Sequence, residues 1–419
     1  MVMEQKRVII VGAGIAGLTL ARELSPAYDV LVLEAQERTG GRIHTVLVDG
    51  NVVERGAEFI HGRLPATLQL AREAGATVIP ADGRMYRRRH GRLAEEDEMI
   101  SHWDSLLEKM GQVEDDLTLT AFLDKYFYTE PYGELRKQAF AFAGGFDLAD
   151  ADHASVRALY REWSADQEPN FRLREGYGKL IDFLQQCAES TGVTILLNTA
   201  VTTISIVQGK VIAGTDAGRE FAADALVVTV PVGPIAAGSI RFDREIAQKT
   251  RLVTDIGMGT VIRFVLGFRR PLWPADTGFL FSDELVPTWW TGLQEGIHQL
   301  VGWAGGAKAS ALSGKPEELL VQQAVSSLAT ILGLDPEEVR REISFHVITD
   351  WSQNPWSIGG YSYATPLTEQ ARTQLNQPLA DRIWFAGEGY SMGDHPGTVE
   401  AAIVHATHVA ESIRTVFNA

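Results

Sequence analysis

Short, almost unbroken apolar runs alternate with longer stretches of helical spacing along this chain. Arg7–Val11 (RVIIV) and Asp29–Leu33 (DVLVL) have the pattern of parallel strands buried on both faces. Between them Ile15–Leu24 reads as a helix that stops near Ser25-Pro26, so the chain opens on a βαβ unit. Val46–Glu58 predicts a hairpin turning at Asp49-Gly50, and Met85–Arg92 a second one around His90-Gly91. Pro65–Ala74 predicts a helix, and from about Glu95 to Tyr160 the pattern is helical. Gly178–Ser190 is amphipathic. It is followed by a strand at Thr194–Asn198, a hairpin of Ala200–Val207 with Lys210–Thr215, and a buried strand at Ala225–Val230. Thr260–Phe268 alternates and predicts a strand of a different sheet. Arg382–Phe385 is one more buried strand, before a long helix over Gly397–Val416. Strands of the buried parallel type thus occur at the start, middle and end of the chain. One domain is expected to be assembled from separated segments, with a second woven between them.

The 419 residues are enough for two or three cores. Formal net charge is −16, which argues against nucleic acid or an anionic membrane surface as the main partner. It suits a cationic small molecule, and equally a solvated acidic surface. The single cysteine, Cys187, excludes an internal disulfide, no apolar run is long enough to span a membrane, and the N-terminus enters a strand too early for a signal peptide. A cytoplasmic protein is expected.

The candidate chemistry begins in the first turn. Gly12, Gly14 and Gly17 form G-x-G-x-x-G between strand and helix. The first allows the tight turn, the second lets backbone approach a pyrophosphate, and the third lets helix and strand pack closely. The N–H groups opening the helix, at Ile15 and Ala16, are suited to phosphate oxygens. Glu34, followed by Ala35, ends the second strand twenty residues after Gly14, where a carboxylate accepts from a ribose. The pattern predicts a dinucleotide without separating NAD from FAD. Arg38-Thr39-Gly40-Gly41-Arg42 adds a tight loop whose Arg42 can donate to a phosphate or a flavin edge. The helix starting at Gly397-Thr398-Val399 would favour negative charge at its N-terminus.

These stretches, with others in the same order, resemble the flavin monoamine oxidase family of monoamine, polyamine and histone-demethylating oxidases. They are VGAGIAGL with Glu34; ERTGGR; GAEFIHG (56–62); GYGKL (176–180); LLNTAVTTI (196–204); VVTVPVG (227–233); GMGTVIRFVLGF (257–268); WSQNPWSIGGYSY (351–363); and FAGEGYSMGDHPGTVEAA (385–402). The resemblance implies an α/β fold. A discontinuous Rossmann-type FAD-binding domain (1–62, 176–245 and 380–419) would be joined to a mixed-sheet substrate domain (63–175 and 246–379) with a helical part at about 95–160. It assigns Gly12, Gly14, Gly17 and Glu34 to the ADP part, and Gly41, Arg42, Gly56, Ala57 and Glu58 to the pyrophosphate and flavin. Val201 falls to the adenine side, Glu388 to the ribityl–phosphate region, and Thr398 and Val399 to the N1/O2 edge. Monoamine oxidases tether flavin to a cysteine in the stretch that here reads GGYSY. With Tyr361 there and Cys187 elsewhere, non-covalent FAD is implied.

The family frames its amine slot with aromatic rings, here Trp351, Trp356, Tyr361 and His395, with Trp351 also against the cofactor. His61 resembles the polyamine-oxidase branch, and Arg63 beside it is of the type that pairs with a substrate carboxylate. The implied reaction takes a hydride equivalent from the α-carbon of a neutral amine to flavin N5. The imine then hydrolyses, and O2 reoxidises the flavin with peroxide release. Where the family has a lysine holding water at N5, this chain has Arg263, which is permanently charged and planar. That leaves open an amine dehydrogenase or desaturase with another acceptor, beside an L-amino-acid oxidase or, in a different class, a non-catalytic flavin-binding scaffold. No H-E-x-x-H, C-x-x-C or G-x-S-x-G pattern occurs, so no metal or acyl-transfer chemistry is expected. Partners expected are a small amine and O2 or another acceptor, in a monomer or homodimer.

Overall fold

The architecture is that of a computed structural model, which describes residues 5–89, 91–95, 102–165, 169–293, 296–393 and 395–418. His90, at the turn of the second expected hairpin, and residues 96–101 of the expected helical stretch lie outside the described residues.

The opening βαβ unit forms as its pattern requires, with β1 (Arg7–Val11), α1 (Ile15–Leu24) and β2 (Asp29–Leu33). The two strands sit inside a five-stranded, all-parallel sheet in the order Thr194–Leu196, β2, β1, Ala225–Val228, Ile383–Phe385. Val8, Ile9 and Ile10 are completely buried, because both faces of the sheet are covered. On one face α1 packs with the helices Gly178–Ser190 and Val399–Asn418. On the other lies a four-stranded sheet of Val201–Val207, Lys210–Thr215, Glu220–Ala223 and Arg241–Phe242. The core around β1 also takes in the helix Pro65–Glu73 and Leu173, residues the sequence reading assigned to the second domain. A carboxylate from the far end of the chain makes that join: Glu400 accepts from Ala66 N (2.9 Å), Thr67 N (2.7 Å) and Thr67 Oγ1 (2.7 Å). It satisfies the first amides of a helix whose own preceding residue, Leu64, has no capping oxygen.

The second sheet has seven strands, ordered Ile343–Asp350, Val261–Phe268, Gln299–Gly305, Thr288–Thr291, Thr277–Phe281, Arg84–Arg89, Arg92–Glu95. The expected strand of a different sheet is Val261–Phe268, and all eight of its residues are buried. The period of two survives as a choice between two covered faces. Ile262, Phe264 and Leu266 meet the helices Gly306–Leu312 and Glu317–Leu332, whereas Val265 meets Val53 of the first hairpin. That hairpin turns at Asp49-Gly50 with φ of 50° and 78°, but its strands end at Glu54, freeing Arg55–Glu58 to turn inward. The helices Trp103–Gly111, Leu119–Tyr126, Gly133–Gly145 and Val156–Trp163 share a core of their own. No helix among the described residues is long and apolar enough to cross a membrane.

Close packing of α1 on its own turn makes Gly17 sensitive. A Cβ there would stand 2.0 Å from Gly12 O, backbone that cannot yield without opening the turn. Gly17→Ala is expected to cost ~3 kcal/mol or more, at or beyond the top of the usual overpacking range. In thermal unfolding it should lower the midpoint clearly, while Gly145→Ala, whose Cβ meets nothing within 4 Å, should not.

Candidate active site

A cavity of about 2580 Å³ opens beyond the carboxyl ends of β1 and β2 and runs to the seven-stranded sheet. Ordinary small-ligand pockets measure ~300–1,000 Å³, so this one has room for a dinucleotide and a second molecule. Every expected site residue lines it except Gly17, which packs behind the turn.

The cradle end fits a diphosphate. Gly12 has φ +108°, and a Cβ on it would strike Thr229 Oγ1 at 2.7 Å. A Cβ on Gly14 would instead point into open space, with Gly40 O its nearest neighbour at 4.0 Å. No side chain caps α1, so the amides of its first turn are left for a ligand at Gly14, Ile15 and Ala16. Glu34 accepts from Ala13 N (2.6 Å) and Gln36 N (2.8 Å), which fixes the turn. Burial pushes its pKa up, against those amides and Arg38. Arg38 closes the glycine loop. It donates to Thr39 O (2.9 Å), Gly41 O (2.8 Å) and Ile43 O (3.2 Å). Arg42 donates to Gly360 O (2.8 Å) and to Glu388 Oε1 (2.6 Å). Burial alone would raise the Glu388 pKa, but Arg42, Ser362 and Arg372 hold it below its ordinary value. Thr398 caps the terminal helix by accepting from Ala401 N (3.2 Å) while donating to His395 O (2.7 Å). Ala35, Val201 and Val399 complete this end of the lining.

At the far end the central group is Glu58. Expected beside the cofactor, its carboxylate is committed to the second sheet. It accepts from Arg172 Nη1 (3.2 Å), Trp290 Nε1 (3.1 Å) and Arg263 Nη2. Arg263, 2% exposed, also donates to Gly56 O (3.3 Å), and Arg172 to Thr291 O (2.7 Å). Burial would raise the Glu58 pKa, but the two guanidinium groups outweigh it and hold it below the ordinary value. Glu54 is also buried but has no such partner, and its pKa rises to about 7.

Next to this cluster is an aromatic slot. Trp303 and Tyr361 stack with centroids 6.5 Å apart and planes at 21°. Trp303 Nε1 donates to Gly145 O (2.7 Å) and Tyr361 OH to Phe146 O, so both rings are held at their polar ends. His61 faces the cavity with its ring 5.8 Å from those of Phe59 and Phe146, and Nδ1 is 3.1 Å from Asn170 Oδ1. Desolvation lowers its pKa, against the opposing hydrogen bond to Asn170. Trp351 belongs to the loop side of the cavity. It is 4% exposed, donates to Arg55 O (2.8 Å) and lies against Gly56. Trp356, His395 and Arg63 are exposed residues of the cavity wall. The sequence reading did not find Trp303, Phe146, Trp290 or Arg172. Trp303 stands opposite Arg263 only by virtue of sheet register, and no local signal marks it. Among the described residues no cluster of potential metal ligands occurs.

The family model for flavin-containing amine oxidoreductases matches residues 15–141 and 130–414. A relative named probable polyamine oxidase 4, from Arabidopsis thaliana, is 26% identical over 96% of this chain and 85% of its own length. Two solved structures share the fold. Putrescine oxidase bound to putrescine has a TM-score of 0.82 at 22% identity, over 98% of this chain and 99% of that one. Cyclohexylamine oxidase from Brevibacterium oxydans has a TM-score of 0.82 at 20% identity, over 99% and 100%.

Glu58→Gln would leave two buried guanidinium groups without their carboxylate, at an expected cost of ~3–5 kcal/mol. Because the Glu58 pKa lies below its ordinary 4.5 in the folded chain, its contribution is complete above about that pH and is lost as pH falls through the folded value. Thermal unfolding of wild type and variant should therefore differ by a constant gap at neutral pH, and the gap should narrow only in acid.

Proposed function

The chain belongs to the flavin-containing amine oxidoreductases, and from that membership we propose that it binds FAD non-covalently in this cavity and oxidises the C–N bond of a polyamine or monoamine to an imine, with O2 as the final acceptor and peroxide as product. The bound flavin would supply the redox chemistry, taking a hydride equivalent from the amine α-carbon at N5. The observation that carries this reading is the joining, in one cavity, of the uncapped glycine cradle with the Trp303–Tyr361 slot.

The residues divide the work accordingly. Gly12, Gly14 and the first amides of α1 take the diphosphate, and Glu34 takes a ribose hydroxyl. Arg42 and Glu388 hold the segments around the flavin, and Thr398 and Val399 bring a helix N-terminus to it. Non-covalent attachment is supported by Cys187, the one cysteine in the sequence, which is not part of the cavity wall. Trp303 and Tyr361 exclude water from an apolar slot for the neutral amine. With Asn170 Oδ1 as acceptor, His61 Nδ1 carries the proton and Nε2 the lone pair, so His61 can take a proton from an incoming ammonium. Arg263, held by Glu58, contributes a charge that does not titrate, unlike a lysine.

Acid precipitation should release intact FAD into the supernatant, and yellow colour remaining on the precipitated chain would refute non-covalent binding. Anaerobic mixing with amines should bleach the flavin, and admission of air should restore it with peroxide. Bleaching without peroxide would favour another acceptor, the reading that Arg263 in place of lysine keeps alive.

Stopped-flow absorbance separates the two half-reactions. Arg263→Met is expected to slow reoxidation more than reduction, on the order of tenfold or more as for loss of a fixed charge-stabilising donor. Arg263→Lys should raise the rate with O2. Wild-type reoxidation in both variants would remove Arg263 from the oxygen reaction.

A further inference from the structure

The strand Ile383–Phe385 leads through Gly387 into a short turn, Glu388–Tyr390, and both Gly387 and Glu388 line the cavity. Glu388 accepts from Arg42 Nη1 (2.6 Å) and Ser362 Oγ (2.6 Å), so the placement of this turn decides where Arg42 is anchored.

The turn is held from outside the cavity by a histidine. His405, 5% exposed, belongs to the helix Val399–Asn418 and is not part of the cavity wall. Its Nδ1 is 3.2 Å from Gly387 N, and its Nε2 is hydrogen-bonded to Asn376 Oδ1. The partners fix the tautomer. A backbone amide can only donate, so Nδ1 carries the lone pair and Nε2 the proton of a neutral ring. Asn376 Nδ2 faces two carbonyls, Arg372 O (2.8 Å) and Tyr390 O (2.9 Å), so its oxygen is the atom that accepts from His405. Arg372, on the helix Thr368–Leu375, completes the enclosure by donating to Gly389 O (2.9 Å) and Ser362 Oγ (3.3 Å). Gly387, Gly389 and Tyr390 thus each have a backbone group that ends on one of three side chains.

A protonated His405 would have no lone pair and would set Nδ1–H against Gly387 N–H. Burial, His408 in the same helix and Arg372 all oppose that proton and lower the His405 pKa to about 4. In the turn itself Glu388 is committed to Arg42 and Ser362, and Tyr390 OH to Val230 O (3.2 Å). The anchor on Gly387 is therefore complete at neutral pH.

We propose that His405 is a positioning residue for the cofactor: its neutral ring holds Gly387, and with it the Glu388 turn, in the form that binds FAD, and protonation releases both. This rests on the reading of the cavity as a flavin site.

The test compares wild type with His405→Asn and His405→Phe. Asparagine places Oδ1 where histidine has Nδ1, so it keeps an acceptor for Gly387 N–H but cannot take up a proton. Phenylalanine keeps a ring and loses the acceptor. In titrations of the FAD-free proteins at neutral pH, His405→Asn should bind FAD as wild type does and His405→Phe about tenfold or more weakly. The ratio of wild-type to His405→Asn dissociation constants should be flat near neutrality and rise as pH falls. It should reach about twofold near pH 4, where half of the rings are charged, and grow below it. Hydrogen exchange of the Gly387 amide in the FAD-free chain gives a readout independent of the cofactor. It should be slow in wild type and His405→Asn, and about tenfold or more faster in His405→Phe. Equal FAD affinity in all three proteins, equal weakening in both variants, or a flat ratio in acid would overturn the positioning role and leave the flavin reading intact. If none of the proteins takes up FAD but Gly387 exchange follows the expected order, the anchor on the turn stands and the flavin reading fails. If exchange is also the same in all three, both fail.

Discussion

Two guanidinium groups held together out of water repel one another unless a carboxylate lies between them. Glu58 is that carboxylate, with Arg172 on one side and Arg263 on the other. The arrangement carries weight because of what each partner belongs to. Arg263 is in the middle of the buried strand Val261–Phe268, and Arg172 is in Asn170–Leu173, the strand that runs beside Ile60–His61. Glu58 itself follows the first hairpin and precedes His61. Drawing it inward brings Gly56 against Arg263 and Trp351, Phe59 against Trp290, and His61 against Phe146. An arginine at position 263 makes such a partner obligatory, because unlike lysine it cannot shed its charge on burial.

Charge along the cavity is graded by the same logic. At the cradle the protein offers partial positive charge, from helix amides that no side chain caps. In the middle, around Arg42 with Glu388 and Arg263 with Glu58, charges are paired. On the helical side Asp147 accepts from the neutral Trp163 Nε1 and has no ion pair among the described residues. Partial positive charge of that kind favours an anion at the cradle end, and low-dielectric walls strengthen the attraction. The overall charge of −16 has the sign that draws a cation toward such a cleft.

What the amino-acid sequence alone makes legible is local. The βαβ opening, the three glycines and Glu34 are legible because their constraints act over a few residues: a positive φ at Gly12, no space for a Cβ at Gly17, an amide two residues beyond Glu34. Runs such as RVIIV and DVLVL have the pattern of strands buried on both faces. The ordered series of motifs then pointed to a flavin amine oxidoreductase.

Tertiary structure decided how charges and rings meet. Glu58 lies 114 residues from Arg172 and 205 from Arg263, and Glu400 caps a helix 333 residues before it. Trp303 faces Arg263 through antiparallel register, and a hairpin from the chain's start covers one face of Val261–Phe268. The physical reason is the same in each case. Backbone conformation is set by neighbours in sequence, whereas the cost of a buried charge and its compensation depend on which distant segments exclude water around it.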